Sequence, residues 1–367
     1  MKILQIVFTL SSGGGERFVV DLSNELSKTN EVTLLTIKND KVDVENRNFY
    51  KYELSPRVKY QNLGLADGPH PTYPWKIYEA IKAINPDVVH FHLTKMLQYC
   101  YLSILLLGKK ITFVETIHSD LYWGGYNTKF RHFAYHTLVE KGLLRWVALS
   151  ETNFKQLTKE YPKALSRCIY NGRAPMTPTN RYQKVSEEIA SYKDNPNTKV
   201  FLHVARCTTV KNQQLLIRSF NEIKKQGANV VLLIIGAHFD SKLGQKLRTL
   251  SGPDIHFLGT RTNISDYMLQ SDIFVLSSSA EGMPITLLEA MLSGTPMVST
   301  PVTGAVDVIN GKNGVLSKDF TQESYVAALN QMLSHYNDYK ANAMKGKDDS
   351  PYTIKHCAEQ YVEFYQS

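Results

Sequence analysis

Apolar runs with two different periods alternate along the chain. Lys2–Leu10 is a nearly unbroken apolar stretch, which predicts a strand buried on both faces. Ser11-Ser12-Gly13-Gly14-Gly15 interrupts it, and over Glu16–Lys28 the apolar positions Phe18, Val19, Leu22 and Leu26 fall at helical spacing. Further strand-like runs stand at Val32–Ile37, Asp87–His92, Ile111–His118 and Trp146–Ser150, with helical stretches between several of them. Over Tyr170–Asn197 the rhythm gives way to Asn171-Gly172, Pro175, Pro178, Pro196 and many polar residues, the composition of a linker or hinge. The same alternation then restarts: strand Val200–Ala205, helix Asn212–Lys225, strand Val230–Gly236, helix Lys242–Leu250, strand Ile255–Leu258, a short helix and strand Ile273–Ser277. Strands alternating with helices predict parallel sheets covered on both faces. Two such stretches about a hinge predict an α/β protein of two domains with a cleft between them. In sheets of this kind ligands bind beyond the carboxyl ends of the strands, so the chemistry is sought there.

The bulk numbers narrow the class. The length of 367 residues exceeds what one ordinary core fills. Cys100, Cys168, Cys207 and Cys357 are scattered and form no C-x-x-C pair, which implies neither a zinc site nor a disulfide framework and suits a cytoplasmic protein. The short apolar start flows into the glycine cluster and reads as a first strand, not a leader, and Met96–Leu107 is too short and too interrupted to span a membrane. The net charge is +8. Most of it lies in the first half, which favours anionic partners.

The sharpest local signal is Glu281-Gly-Met-Pro-Ile-Thr-Leu-Leu-Glu289 after the last of these strands. Pro284 suits the first turn of a helix running to Leu292, and Gly294 its stop. The unpaired N–H groups of that turn would lie between the two glutamates, a cradle for phosphate or sugar hydroxyls. An isolated pair of this kind more often marks a plain helix with solvated glutamates. Arg206 ends a strand and Lys211 opens the next helix, so two cations are available to meet an anionic ligand there, unless both are ordinary surface charges. His118 also ends a strand; a core histidine satisfied by backbone is the plainer reading. His90 and His92 lack an evident third ligand and are taken as structural. The Gly13–Gly15 loop permits close backbone approach to a ligand. It is not a dinucleotide fingerprint, since Arg17 and Phe18 occupy the last two of its six positions counted from Gly13. No nucleotide-triphosphate P-loop and no D-x-D triplet is present. Over Tyr122–Trp146 aromatic residues (Trp123, Tyr126, Phe130, Phe133, Tyr135, Trp146) interleave with Lys129, Arg131, Lys141 and Arg145, a pattern open to membrane contact, nucleic-acid stacking or a plain surface helix.

The run Glu281–Val298, EGMPITLLEAMLSGTPMV, resembles the donor-site signature of glycosyltransferase family 4. Other elements resemble the family's in its order: Gly13-Gly14-Gly15-Glu16-Arg17, Thr116-Ile117-His118, Ile169-Tyr170-Asn171-Gly172, Val204-Ala205-Arg206 with Lys211-Asn212, Phe257-Leu258-Gly259 and Ser271-Asp272-Ile273-Phe274. The departures are Ala205 where the family usually has glycine, and Cys-Thr-Thr-Val between the two cations.

The resemblance implies a GT-B fold: two Rossmann-like domains whose parallel sheets face each other across a cleft. Residues 1–172 would be the acceptor domain, 173–350 the nucleotide-sugar donor domain, and 351–367 a helix crossing back to the first. It implies a retaining transfer of a hexose or N-acetylhexosamine, from a UDP-sugar in preference to GDP-mannose, to a polysaccharide, lipopolysaccharide or lipid-linked oligosaccharide. His118, Arg206, Lys211 and Glu281 would be catalytic. Gly13, Gly14, Gly15, Gly236, Gly282, Met283, Pro284, Ile285 and Glu289 would bind the donor, with Glu289 on the ribose. No metal and no cofactor are expected, the two cations standing where a metal would. Peripheral contact with an anionic membrane stays open and nucleic acid is not expected as a partner. A nucleotide-sugar 2-epimerase, and a non-catalytic sugar-nucleotide or membrane-binding protein on a decayed transferase scaffold, are the alternatives.

Overall fold

The computed structural model describes residues 1–41, 46–93, 95–118, 129–347 and 350–367. They form two compact units, the first Met1–Ala174 with Pro351–Ser367, the second Pro175–Ser350.

In the first unit the chain runs β1 (Lys2–Val7), α1 (Gly14–Leu26), β2 (Glu31–Lys38), β3 (Lys59–Leu65), α2 (Tyr73–Ile84), β4 (Val88–His92) and α3 (Leu97–Leu107). It continues through β5 (Thr112–Ile117), α4 (Lys129–Glu140), β6 (Arg145–Ala148), α5 (Glu151–Glu160) and β7 (Ser166–Cys168). The seven strands form one parallel sheet in the order β3-β2-β1-β4-β5-β6-β7. The continuous apolar runs become its central strands because helices cover both faces. β3 and β7 escape the sequence pattern: β3 (KYQNLGL) is a half-exposed edge strand, and β7 has three residues.

The second unit contains α6 (Tyr182–Ser191), β8 (Lys199–Val204), α7 (Gln213–Lys225), β9 (Val230–Ile235), α8 (Lys242–Leu250), β10 (Ile255–Gly259) and α9 (Ile264–Gln270). Then follow β11 (Ile273–Leu276), α10 (Ile285–Leu292), β12 (Met297–Ser299), α11 (Ala305–Val308), β13 (Gly314–Leu316), α12 (Gln322–Ser334) and α13 (Tyr336–Gly346). Its six strands are parallel, in the order β10-β9-β8-β11-β12-β13. The stretch expected to be a linker contains α6. No proline falls between Pro178 and Pro196, and Val185 and Ile189, one turn apart, are buried.

The last helix, α14 (Ile354–Gln366), starts at Thr353, whose side chain accepts from His356 N, and packs on α1 in the first unit. In each unit the strand order reverses beside one strand, at β1/β4 and at β8/β11, the switch points where open parallel sheets bind ligands. No helix among the described residues is long and apolar enough to cross a membrane.

Candidate functional site

In the second unit, β8 ends at Val204, but its pairing with the β9 side continues. Ala205 N donates to Ile235 O at 3.0 Å and Cys207 N to Ala237 O at 2.9 Å. Gly236 makes this approach possible: a Cβ built there would lie 1.9 Å from Ala205 O. Buried Gln213 donates from Nε2 to Arg206 O at 2.9 Å, holding the backbone of Arg206 while its side chain is exposed. Asn212, in the left-handed region at φ 46°, turns the chain into α7, a conformation that asparagine tolerates better than most residues.

Lys211 and Glu281, 70 residues apart in sequence, meet here, with Nζ 2.5 Å from Oε1. Ser278 Oγ donates to the same carboxylate oxygen at 2.6 Å. The two loops are fastened together by backbone groups. Ser277 Oγ donates to Lys211 O at 3.0 Å, and Ser279 N donates to Val210 O at 2.8 Å. Thr300 Oγ1 holds Ser278 O at 2.6 Å. Ser278 and Thr300 carry no motif of their own and surface only through this geometry.

Gly282, Met283, Pro284 and Ile285 are buried, and Pro284 caps α10 instead of entering its first turn. Gly304 presses on this loop: at φ +79° its Cβ would meet Gly282 O at 2.3 Å. Glu289 lies on α10 with 6% of its surface accessible. The helix ends in a Schellman pair at left-handed Gly294, with Thr295 N donating to Ala290 O at 2.9 Å and Gly294 N to Met291 O at 3.0 Å. His203, which the sequence reading passed over, lies buried on β8. Its Nδ1–H donates to Val275 O at 2.9 Å, and among the described residues Nε2 has no partner. Burial pushes its pKa down to about 4; the nearby Lys211 charge adds to the shift, while the Val275 bond and Glu281 oppose it.

In the first unit, α1 opens at Gly14 with Gly13 as its cap and no side-chain capping bond. Gly15 faces the end of β5: a Cβ there would sit 2.9 Å from Leu93 Cδ2 and 3.6 Å from His118 Nδ1. Phe18 packs its ring edgewise on His118, 5.7 Å between centroids. Behind His118 runs a buried polar chain. His118 Nε2 is 3.1 Å from His92 Nδ1, and His92 Nε2 is 2.6 Å from Gln5 Oε1. Gln5 Nε2 donates to Tyr365 OH, which is 2.7 Å from His90 Nδ1; His90 Nε2 then meets Thr116 Oγ1, also at 2.7 Å. Tyr361 OH closes the chain on Thr116 at 2.8 Å. Burial drives His90 and His92 well below the usual imidazole range and His118 to about 4, although His118 as a whole residue is only partly buried. His90 and His92 thus spend their nitrogens on hydrogen bonds. Among the described residues no three His, Cys, Asp or Glu side chains gather as metal ligands.

The basic–aromatic segment divides. Residues 119–128, with Trp123 and Tyr126, lie outside the described residues, as do the side chains of Lys129, Phe130 and Arg131. Tyr135 and Trp146 are core residues that both donate to buried Glu115 at 3.0 Å, so they are not available to an outside partner. Arg145 caps the end of α14, donating to Phe364 O at 2.8 Å and Tyr365 O at 3.1 Å. Phe133 is 66% exposed.

The structure therefore places Gly15 beside His118 within one unit. Within the other it joins Lys211 to Glu281 and sets Arg206 against Gly236.

Two family models match the chain, Glycosyltransferase Family 4 over residues 12–174 and Glycosyl transferases group 1 over residues 184–348. An uncharacterized glycosyltransferase of Methanocaldococcus jannaschii is 32% identical over 152 residues, 36% of this chain and 37% of that protein, so the chain spans little over a third of its length. A capsular polysaccharide biosynthesis glycosyltransferase of Staphylococcus aureus, CapH, is 20% identical over 100% of this chain and 99% of its own. Among solved structures, Anabaena HepE in complex with UDP and glucose superposes with a TM-score of 0.80 at 17% identity, covering 100% of this chain and 99% of that one. That likeness identifies the fold as GT-B, two Rossmann-like α/β domains. With one model matched to each unit, the chain belongs to glycosyltransferase family 4.

Proposed function

We propose that the protein transfers a hexose or N-acetylhexosamine from a nucleotide sugar, a UDP-sugar before GDP-mannose, to a carbohydrate acceptor with retention of the α configuration. The observation that carries this reading is the Lys211–Glu281 pair, fixed at 2.5 Å where β8 and β11 end at the switch point of the second sheet. Exposed Arg206 and half-buried Lys211 offer two cations to a departing diphosphate, and no metal is needed for that charge. Glu281 and the Gly282–Ile285 backbone orient the sugar, Glu289 holds the ribose, and Gly236 lets the donor approach the backbone. Gly13, Gly14, Gly15 and His118 serve the reacting end. With no enzymatic nucleophile assigned, departure and attack take place on one face through an oxocarbenium-like species. UDP is preferred because HepE, of the same fold, is recorded with UDP and glucose. A polysaccharide or lipid-linked acceptor is preferred because the full-length relative CapH acts in capsular polysaccharide biosynthesis.

The test is a thermal-shift screen with UDP, GDP, ADP and their sugars, with and without EDTA. A ligand at a hundred times its dissociation constant stabilises by about 2.7 kcal/mol. One nucleotide should raise the melting temperature, EDTA should leave the rise unchanged, and Arg206→Ala should abolish it. No shift with any nucleotide at millimolar concentration would overturn the donor-site assignment. Binding without turnover would favour a non-catalytic scaffold.

A further inference from the structure

We propose that Gln5 and His92 are positioning residues that fix the tautomer of His118, so that His118 meets a bound hydroxyl only as an acceptor, through Nδ1. Gln5 Oε1 lies 2.6 Å from His92 Nε2. An amide oxygen has no hydrogen to give, so His92 Nε2 carries one. A neutral imidazole has a single N–H, which leaves His92 Nδ1 bare. That bare nitrogen is 3.1 Å from His118 Nε2, so His118 supplies the hydrogen from Nε2. His118, also neutral, then holds a lone pair on Nδ1.

Both rings are kept neutral by their surroundings. Burial lowers the pKa of His92 well below its ordinary value, and that of His118 to about 4, so neither is protonated near neutral pH. The Gln5 amide at the head of this hydrogen-bond chain is itself tied. Gln5 is fully buried in the middle of β1, and its Nε2 donates to Tyr365 OH on α14. Tyr365 is in turn bonded to His90, and His90 to Thr116. The orientation of one side chain on β1 is thus transmitted across β4 to the end of β5.

The free nitrogen of His118 faces the glycine loop. Its Nδ1 is 3.6 Å from the position a Cβ on residue 15 would take, and residue 15 has none. Among the described residues, no hydrogen bond reaches that nitrogen. A ligand group arriving there has to donate. A sugar hydroxyl can; a carboxylate or phosphate oxygen would meet lone pair against lone pair. Gln5 and His92 touch no ligand in this scheme and act only through His118.

The sugar hydroxyl rests on the function proposed above, but the tautomer can be read without any ligand. The full chain labelled with ¹⁵N-histidine would be examined by long-range ¹H–¹⁵N correlation, with His118 assigned by the signals lost in His118→Gln. His92 and His118 should each show a protonated Nε2 and a bare Nδ1. Gln5→Met, which removes the acceptor for His92 Nε2–H, should replace the single His118 pattern by a mixture of both tautomers. A hydrogen on Nδ1 of His92 or His118 in the unaltered protein would overturn the proposal, whether or not Gln5→Met folds. So would an unchanged His118 pattern in a folded Gln5→Met. Adding the nucleotide sugar selected by thermal shift should move the His118 Nδ1 resonance while Nε2 stays protonated. A bound donor that leaves Nδ1 unmoved would overturn the hydroxyl contact, with the tautomer decided independently by the ligand-free spectra.

Discussion

Replacing Gly236 by alanine would drive a methyl group into backbone. The added Cβ would lie 1.9 Å from Ala205 O and 2.6 Å from its carbonyl carbon. No rotamer relieves this, because Ala205 is held by its N–H bond to Ile235 O at 3.0 Å, in register with the β8–β9 pairing. Gly236 is fastened on its other side, its N–H donating to Gly259 O at 2.9 Å. The strand ends must therefore separate. Overpacking of this kind costs about 1–3 kcal/mol. For a domain of this size each kcal/mol lowers Tm by about 2–4 °C, so the expected loss is about 2–12 °C. The displacement falls on Arg206, whose backbone nitrogen would be 3.2 Å from the new Cβ, so nucleotide binding should fail with it. Differential scanning fluorimetry with and without UDP measures both. Gly227→Ala is the control, since at φ +91° it strains the backbone but its Cβ meets nothing within 4 Å. It should lose stability and keep the nucleotide response. A Gly236→Ala protein with unchanged Tm and a full UDP shift would refute the reasoning.

Lys211→Met should lower Tm, because it leaves Glu281, whose side chain is only 12% accessible, without its charge partner, and should also lower kcat by about 10²–10³-fold, as loss of a charge-stabilising donor does. Steady-state transfer kinetics beside a melting curve separate the two effects. Glu289→Gln should raise KM for the donor by about 10–100-fold, the equivalent of one hydrogen bond to a charged group, with a smaller change in kcat. The same substitution should matter little for a donor lacking the ribose hydroxyls. Stability should also depend on acid. His118 and His203 have folded-state pKa values of about 4, below the ordinary 6.5, so the unfolded chain takes up their protons first as pH falls. Their contribution is complete above about pH 6.5 and drains away between about 6.5 and 4, at up to about 1.4 kcal/mol per pH unit for each ring. Melting curves from pH 7.5 to 4.5 should show this decline, and His203→Phe should make it shallower by about one proton.

Much of the fold was visible because buried parallel strands leave a plain mark: KILQIV, VVHFH, KVFLHV and VVLLII are dominated by apolar residues. The edge strand KYQNLGL leaves none, since half of its residues face solvent and polarity there carries no penalty. Helix α6 was hidden by its neighbours, the prolines around it outweighing the single Val185–Ile189 turn. Of the candidate site, the residues on loops after strands could be named, because a parallel sheet leaves few other places for chemistry. The partners behind them could not. Gln5 contradicts its own strand: a fully buried amide among apolar residues must find hydrogen bonds. His90 and His92, two residues apart on one strand, share a face. Those two signs are the local trace of a buried polar chain, although Gln5 was not singled out from the sequence. Its members on β5 and α14 depend on which strands are neighbours, and no local spacing shows that.

On the function proposed above, the two units would also divide the chemical labour in a way that follows from their surroundings. In the second unit Arg206 is exposed and Lys211 retains contact with solvent, so these side chains can hold full charges without a large desolvation cost. In the first unit Gln5, His90, His92 and Thr116 are fully buried, and there a neutral hydrogen-bonded chain is the arrangement that survives. A neutral His118 brings direction but no charge. On the function proposed above, stabilisation of a departing diphosphate would then fall on Arg206 and Lys211, while His118 would only distinguish a hydroxyl from other groups at the reacting end. Removing a charge in the second unit should lower kcat for every donor alike. Disturbing the Gln5–His92–His118 chain should instead change which donors are accepted. A Gln5→Met protein that lost kcat uniformly across donors, with no change in their ranking, would show that this division is wrong.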